Sequence, residues 1–474
     1  MIFASNVFLF LYLPLFLAVY YLARPQWRSL VILTGSYLFY AWWRPDFLLL
    51  FVAVSYWNYA FGRWLHQYRQ SAPGLAFRLL TVAVIGNLAV LGYFKYANFG
   101  VEVLNDLLQP LGIDTFTLEH IILPLGLSFY IFQAISYVVD VYRGHAQPAR
   151  HFVDFAAYIA LFPQLIAGPI LHYRTIDRQL RQREHSWELF SLGASRFMLG
   201  FIKKVLIADS LAPLANRFLS NPDPGFADAW LGTAVAFIQL YFDFSGYSDM
   251  AIGLGMMMGF RFAENFNQPF LAMSFTEFWR RWHLTLADFL QNYVYRPLVK
   301  ACGVSAGRAL FVTMLLSGIW HGASFAFFFF GLVTALMMLL ERRFRWVTTP
   351  RTPYNGWRHL LNLLLMIMMM GFFTTGDLAH SLQIHQGMLG LSGPGYLEPY
   401  LLASSRLTLA FVLVAVVWLV IAGRTNLRFY AREGTPYLMQ EVRGWQAGLL
   451  WLGFALAVSR LAANSFSPFL YFQF

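Results

Sequence analysis

Charged residues are scarce in this sequence. Asp, Glu, Lys and Arg make up 12% of its 474 residues and hydrophobic residues 58%, whereas about 25% of an ordinary soluble domain is charged. Apolar runs of the ~20 residues that cross a bilayer recur along nearly the whole length. Stretches such as NLLLMIMMMGFF do not alternate as the strands of a membrane β-barrel do. The composition therefore predicts an all-α polytopic membrane protein.

Cysteine is nearly absent as well. Cys302 is the only one, which excludes a disulfide within the chain, and no motif around it indicates a thioester role. The P-loop pattern G-x-x-x-x-G-K-[ST] does not occur either, so the sequence gives no support for work driven by nucleotide hydrolysis.

The net charge of +11 would suggest nucleic acid as a partner for a soluble protein. In a membrane protein, a positive net charge instead usually comes from the Lys and Arg residues that accumulate in cytoplasmic loops. Segments 63–78 and 341–358 are arginine-rich, whereas 97–119 has acids without bases and 376–405 has no Lys or Arg. We therefore place the first two in the cytoplasm, the other two outside, and both termini in the periplasm.

Apolar segments predict helical spans at nine places: 5–22, 29–43, 46–62, 79–96, 120–142, 190–215, 358–375, 406–423 and 446–462. Three further segments are less regular. Segment 152–171 enters and leaves on one side, and segment 228–258 carries Asp243 and Asp249, which cap a broken helix or bind a cationic or hydroxylated group. Segment 309–340 begins and ends in the cytoplasm. Irregular backbone at membrane depth must line a cavity or be buried in protein, so we expect a cavity or tunnel.

The sequence SFTEFWRRWHLTLADFLQNYVYR, residues 274–296, predicts one amphipathic helix. Ser274 and Glu277 have the spacing of a capping box at its start, and Pro297 predicts its end. Arginine beside tryptophan suits a membrane interface. His283 stands one helical turn beyond Trp279, and the helix is either a peripheral anchor or part of a site.

His321 lies within about thirty uncharged residues, near the turning point of segment 309–340. No carboxylate in the segment can pair with it, and desolvation favours its neutral form. A neutral imidazole can accept a proton as a general base. The alternative is a hydrogen-bonding strut, because Gly318 and Gly322 form a G-x-x-x-G step that packs helices closely.

Several of these stretches together resemble the membrane-bound O-acyltransferase family. They include FWRRWH followed about forty residues later by WHG, and also SYLFYAWWRPDFLLL, LPLGLSFYIFQAISYVVDVYRG, FPQLIAGPI, FIKKVLIAD, YFDFSGYSDMAIGLG, ENFNQPF and the terminal PFLYFQF. The likeness covers nearly the whole chain. It is greatest to the branch that O-acetylates bacterial exopolysaccharides such as alginate.

This resemblance implies one integral-membrane domain, 1–474. Its parts would be N-terminal helices in 1–143, a core with re-entrant segments and both histidines in 144–345, and C-terminal helices in 346–474. It also implies about ten to twelve transmembrane helices, with re-entrant and interfacial helices, around a central tunnel in the bacterial inner membrane. Acetyl-CoA would donate the acetyl group, with no resident cofactor or metal, and a periplasmic acetyltransferase or relay protein would pass it to a polysaccharide.

The resemblance places the family's catalytic histidine at His321 and the second histidine of this branch at His283. Arg280, Arg281 and Lys300 are basic residues that could attract the phosphates of CoA. The other candidate donor- or substrate-binding residues are Asp243, Trp279 and Trp320.

Some residues depart from the family pattern. Gln291 and Asn292 stand where the resemblance predicts Arg-Asp, and Arg296 stands where it predicts an apolar residue. The C-terminal third is also somewhat short for an alginate enzyme, which leaves another polymer such as cellulose open. Three alternatives remain open: teichoic-acid D-alanylation within the same family, a transporter in which the histidines relay protons, and a structural scaffold.

Overall fold

The computed structural model describes residues 1–349, 352–397, 400, 402, 404–424, 444–463 and 469. Within these ranges the regular structure is helical, and the only β pairing is a lone antiparallel bridge between Phe266 and Trp282. The terminal motif PFLYFQF lies outside these ranges apart from Phe469. The α-helices are α1 Leu13–Leu22, α2 Arg28–Ala41, α3 Asp46–Ser71, α4 Pro73–Leu108, α5 Leu127–Arg143, α6 Phe152–Ala160, α7 Phe162–Leu165, α8 Tyr173–Arg181, α9 Trp187–Ile202, α10 Asp209–Leu219, α11 Phe226–Met257, α12 Phe275–Trp279, α13 Leu284–Leu290, α14 Arg296–Lys300, α15 Ala306–His321, α16 Phe325–Arg343, α17 Gly356–Thr375, α18 Leu378–Met388, α19 Arg406–Arg424 and α20 Trp445–Ala463.

Short turns of other helix types interrupt or extend these helices. The π-helical turns are Phe8–Tyr12, Lys203–Ala208 and Gln291–Tyr295, and the 3₁₀ turns are Pro25–Trp27, Gln109–Leu111 and Pro269–Leu271. The arginine-rich segment 63–78 is helical except at Ala72, so the prediction of a loop there was wrong. Its helices continue beyond the apolar stretch because an α-helix satisfies its own backbone groups in water and in lipid alike.

Four of the described helical stretches are long and apolar enough to cross a membrane: Pro73–Leu111, Phe325–Arg343, Gly356–Thr375 and Trp445–Ala463. Two shorter apolar helices are Phe8–Leu22 and Arg406–Val420. Length and composition thus agree with an integral membrane protein, while the larger number of spans stays a prediction.

The chain forms two compact units. The first contains Met1–Phe190 and Gly255–Phe262, and the second contains Ser191–Leu254 and Ala263–Phe474. In the first unit, segment 152–171 is broken as predicted: α6 ends at Ala160, and the four-residue α7 follows a non-helical Leu161. The nine residues of α6 rise about 13 Å at ~1.5 Å per residue, less than half of a ~30 Å hydrocarbon core.

Segment 228–258 differs from the prediction, because α11 is one unbroken helix of 32 residues. Asp243 and Asp249 therefore do not cap a broken helix. Asp243 pairs with Lys204 at 2.7 Å, and Asp249 pairs with Lys203 at 2.6 Å. Opposite charges this close offset the cost of placing carboxylates inside the helix bundle, so the helix continues through them.

Arg196 joins this buried ionic network in the second unit. Its Nε donates to Asp249 at 2.8 Å, and its two terminal nitrogens donate to the two oxygens of Glu264 at 2.8 and 2.6 Å. Arg196, Lys203, Asp249 and Glu264 are all at most 5% exposed. Two cations thus neutralise two anions and connect α9, α11 and the chain that follows α11.

Helices α15 and α16 form a tight hairpin, with His321 as the last residue of α15. The hairpin confirms the predicted turning point at His321. A Cβ atom on Gly318 would lie 2.5 Å from Cα of Gly331 and 2.5 Å from the carbonyl oxygen of Phe327. Glycine is therefore required at 318 for the backbones to approach, whereas Gly322 lies just beyond the helix.

Replacing Gly318 with valine is expected to destabilise the protein by about 1–3 kcal/mol, the usual cost of overpacking, and to displace His321 one turn further on. Thermal unfolding of the purified protein in detergent measures the effect. Gly307→Ala is the matched control on the same helix, because its Cβ would meet only Cδ2 of Leu339 at an ordinary 3.6 Å. Equal unfolding temperatures for the two variants would contradict the role of Gly318 in close packing.

Candidate active site

The predicted helix over 274–296 begins where expected but is not continuous. Ser274 caps α12, its Oγ accepting the N–H of Glu277 at 3.2 Å. The helix ends at Trp279, and His283 adopts a left-handed conformation with φ +47°. Such a conformation costs a non-glycine residue about 1–2 kcal/mol. Helical backbone also continues through Pro297, which lies in the first turn of α14 directly after the π-helical turn Gln291–Tyr295, so the prediction that the helix ends there was wrong.

Asn265 holds the chain in this conformation beside His283. Its backbone carbonyl oxygen accepts a hydrogen bond from the N–H of Leu284 at 3.0 Å, and its side-chain Oδ1 accepts one from the hydroxyl of Thr285 at 3.0 Å. The side-chain Nδ2 of Asn265 donates a hydrogen bond to the hydroxyl of Ser248 on α11 at 3.0 Å. Surrounding hydrogen bonds of this kind are what allow strained backbone to persist at functional sites.

Glu341 fixes α12 from the opposite side. Its carboxylate accepts the backbone N–H of Phe275 at 2.6 Å and both the N–H and the hydroxyl of Thr276, at 2.9 and 2.8 Å. A negative charge at a helix start is stabilised by the exposed N–H groups there. Since Glu341 belongs to α16, the hairpin that carries His321 is bonded to the segment that leads to His283.

His321 lies at the end of α15 among aromatic rings. Its ring centroid is 4.9 Å from that of Trp320, 5.8 Å from Phe330 and 5.1 Å from Phe373, and the residue is 5% exposed. The ring of Trp320 also lies 6.2 Å from that of His283. One indole therefore stands beside both histidines.

His283 and His321 line the same cavity of about 190 Å³. Along α15 the lining runs from Leu310 to His321, a distance of about 16 Å at ~1.5 Å per residue. Pockets for drug-sized ligands hold roughly 300–1,000 Å³. This cavity therefore suits a narrow chain. Its other lining residues are Thr276, Trp279, Arg280, Trp282, Leu286, Ala287, Leu290, Gln291, Tyr295, Thr313, Met314, Ser317, Met338 and Arg342.

The rim of the cavity is basic. Arg280, Gln291 and Arg342 line it and are exposed, whereas the two histidines are buried. A cleft with one sign of charge attracts ligands of the opposite sign. The arrangement therefore favours an anionic group at the rim and a slender chain that extends from it towards the imidazoles.

Burial lowers the pKa of His283 to about 3, so its imidazole is neutral near pH 7. The ring of Phe244 packs edge-on against it at 4.8 Å. A neutral imidazole can donate one hydrogen bond and accept another. The imidazole of His283 thus offers the cavity one neutral hydrogen-bond donor and one acceptor.

The structure brings together some of the predicted site residues and not others. His321, His283, Trp279 and Arg280 line the cavity, and the ring of Trp320 is close to both histidines. The remaining three are not among its lining residues. Arg281 pairs with Glu277 at 2.8 Å, Lys300 is exposed on α14, and Asp243 belongs to its ion pair with Lys204.

Sequence reasoning missed Asn265, Glu341 and Arg342. Asn265 stands in the motif ENFNQPF, and Glu341 is the first charge after the uncharged segment, so both carried a usable signal. Their bonding partners are distant in sequence, by 20 residues for Thr285 and 65 for Thr276. Only the fold could identify them as supports of the histidines.

The segment GVSAG at 303–307 has the spacing of a nucleophile elbow. That motif requires a strand, a sharp turn and a helix. Ser305 is instead an exposed residue preceding α15, and residues 301–304 are not a strand. The structure therefore gives no support for a serine nucleophile at this position.

Known proteins resemble this chain over the same region and beyond it. The sequence model of MBOAT, the membrane-bound O-acyltransferase family, matches residues 145–384, which include both histidines. A probable alginate O-acetylase of Azotobacter vinelandii is 44% identical over 505 residues, covering 100% of each chain. A peptidoglycan O-acetyltransferase of Helicobacter pylori is 32% identical over 435 residues, covering 83% of this chain and 80% of the relative. A teichoic acid D-alanyltransferase of Bacillus subtilis is 24% identical over 267 residues, covering 51% and 65%.

Proposed function

Because the chain belongs to the membrane-bound O-acyltransferase family and is therefore an acyltransferase, we propose that it O-acetylates an exopolysaccharide. Alginate or a similar polymer such as cellulose is the final acceptor, which the acetyl group reaches through a periplasmic partner. The observation that carries the proposal is the single cavity, lined by both His283 and His321, that leads from a basic rim. The full-length similarity to a probable alginate O-acetylase supports the choice of an acetyl group and a polysaccharide.

The acetyl donor in this proposal is acetyl-CoA. Arg280 and Arg342 at the rim suit its phosphates, because guanidinium groups form strong charge-assisted hydrogen bonds with phosphate oxygens. The thioester arm then lies along α15 with its carbonyl near His321. Trp279 and Trp320 bound this path with apolar surface.

His321 acts as the general base. One of its ring nitrogens takes the proton from a hydroxyl group of the periplasmic partner that receives the acetyl group. At the same time the hydroxyl oxygen bonds to the thioester carbonyl carbon. The carbon–sulfur bond then breaks, and the proton passes from the imidazolium to the departing sulfur. The products are the acetyl ester and the free thiol, so atoms and charge balance.

His283 assists the same step in its neutral form. Its N–H donates a hydrogen bond to the carbonyl oxygen as negative charge develops there. Hydrogen-bond donors fixed in advance at that position stabilise such an oxyanion. The left-handed backbone of His283, secured by Asn265, keeps the ring in place without reorganisation.

The acetyl group then leaves on the far side of the bacterial inner membrane. In this proposal a central tunnel among ten to twelve helices of one domain, 1–474, connects the two faces, and both termini are periplasmic. A periplasmic acetyltransferase or relay protein receives the group and delivers it to the polymer.

A strain that lacks this chain is expected to make exopolysaccharide without O-acetyl groups, and the wild-type gene is expected to restore them. NMR and mass spectrometry of the purified polymer measure the acetyl content. Proteoliposomes that contain the protein are supplied in parallel with isotopically labelled acetyl-CoA, and release of free CoA is followed.

Three outcomes would overturn the proposal. Undiminished acetylation in the deletion strain would do so directly. Transfer from a D-alanyl carrier protein instead of acetyl-CoA would assign the chain to teichoic-acid chemistry, the activity of the Bacillus subtilis relative. Polymer or proton flux without acetyl-CoA consumption would assign it to transport.

A further inference from the structure

Two arginines and a histidine meet at one end of the first unit. A terminal nitrogen of Arg28 lies 3.1 Å from Nδ1 of His185, and the hydroxyl of Tyr20 lies 3.0 Å from Nε2 of His185. Arg183 donates to Tyr20 at 3.4 Å and to Ser29 at 2.8 Å. We call Arg28, Arg183 and His185 the arginine cluster.

No carboxylate of the described residues pairs with Arg28 or Arg183. Among the described residues, neither Arg28 nor Arg183 forms an ion pair, and the Nε atom of each is buried without a hydrogen-bond partner. The side chain of the adjacent Glu184 is 84% exposed and faces Arg261 at 3.8 Å. Two guanidinium groups thus converge with spare donors. Buried or half-buried cations require a partner of opposite charge.

Aromatic rings offset only part of this charge. The guanidinium carbon of Arg28 lies 5.4 Å from the ring centroid of Tyr20, and that of Arg183 lies 5.2 Å from Phe260. Such contacts contribute less than an ion pair with an anion. Burial and the two arginines also lower the pKa of His185, so the histidine adds a neutral hydrogen-bonding group.

The surroundings of the cluster indicate where the missing anion comes from. Trp27, Trp187 and Leu22 flank it in the sequence and are 54%, 81% and 86% exposed. Exposed tryptophans are typical of the boundary between lipid headgroups and hydrocarbon. Basic pockets between transmembrane helices on the cytoplasmic side of membrane proteins bind anionic lipid headgroups.

We propose that the arginine cluster binds the phosphate of an anionic phospholipid headgroup. The terminal nitrogens of Arg28 and Arg183 donate to the phosphate oxygens, in the bidentate manner that guanidinium favours. The tyrosine hydroxyl and the neutral imidazole complete the polar shell. Trp27 and Trp187 lie against the adjoining acyl chains. This site is independent of the cavity in the second unit.

The test uses the full-length protein in nanodiscs of phosphatidylcholine titrated with phosphatidylglycerol. Native mass spectrometry counts the phosphatidylglycerol that stays bound after release, and the rise in unfolding temperature gives the affinity. Arg28→Gln and Arg183→Gln are expected to weaken retention about tenfold or more, since each removes a charged hydrogen bond. Arg24→Gln removes an exposed arginine four residues before Arg28 and is expected to change nothing.

Several results would overturn the proposal. They are equal loss of lipid with Arg24→Gln, equal retention of phosphatidylcholine, and full stabilisation by inorganic phosphate or CoA in detergent with no gain from lipid. If a glutamine variant fails to fold, Arg28→Lys and Arg183→Lys keep the charge and remove the planar fork. Undiminished lipid retention by both lysine variants would exclude bidentate binding. Acetyl transfer by Arg28→Gln and Arg183→Gln, measured alongside and expected to continue, separates this site from the proposed activity.

Discussion

Exchanging His321 for glutamine is expected to lower acetyl transfer by about 10²–10⁴-fold, the usual contribution of a general base. Glutamine fills similar space among Trp320, Phe330 and Phe373 and can form hydrogen bonds, but it cannot take a proton near pH 7. Release of CoA by the purified variant in proteoliposomes measures the rate, and acetylation of the polymer in a complemented deletion strain measures the consequence in cells.

The comparison must be made at equal abundance in the membrane. His120→Gln is the matched control, because His120 is exposed and lies in the other unit. If His321→Gln retained full turnover at normal abundance, His321 would be a packing residue and the proposed mechanism would fail. A larger rise in KM than fall in kcat would instead indicate that the ring positions the donor.

The second large effect is expected on stability. Replacing Arg196 with leucine is expected to reduce the free energy of unfolding by about 3–5 kcal/mol, the cost of breaking a buried ion pair. The reason is that Asp249 and Glu264 would keep their charges in the interior with only Lys203 to balance them. Chemical unfolding in detergent micelles, followed by tryptophan fluorescence, measures the change.

Charge balance supplies a sharp control for this prediction. Adding Glu264→Gln to Arg196→Leu restores neutrality and is expected to recover part of the lost stability. Arg308→Leu removes an exposed arginine and is expected to have little effect, as surface charges contribute at most about 1 kcal/mol. If the double variant were no more stable than Arg196→Leu, unpaired charge would not be the cause.

The sequence was most informative where one local property decides the outcome. Apolar runs located most helices, the Ser274–Glu277 spacing located the start of α12, and the small glycine at 318 indicated a tight helical contact. Each of these depends on neighbours in the chain or on hydrophobicity. Sequence position singled out His283 and His321, the resemblance to a family predicted their catalytic roles, and the fold places both in one cavity.

Long-range contacts account for the errors. Asp249 looked like a helix cap because its partners, Arg196 and Lys203, lie 53 and 46 residues away. The region around His283 looked like a continuous helix because its apolar residues have helical spacing. The hydrogen bonds from Asn265 are what favour a left-handed residue there, and no periodicity in 274–296 encodes them.

The carboxylate of Glu341 has a mechanical consequence for how a substrate reaches the histidines. Its hydrogen bonds connect the hairpin that ends in His321 to the backbone of α12. The α15–α16 hairpin and α12, which form two walls of the cavity, are therefore held together. In the proposed mechanism, the thioester therefore enters end-on from the side of Arg280 and Arg342 and leaves by the same route. Glu341 contacts backbone N–H groups, and its action therefore does not depend on which side chain occupies position 275.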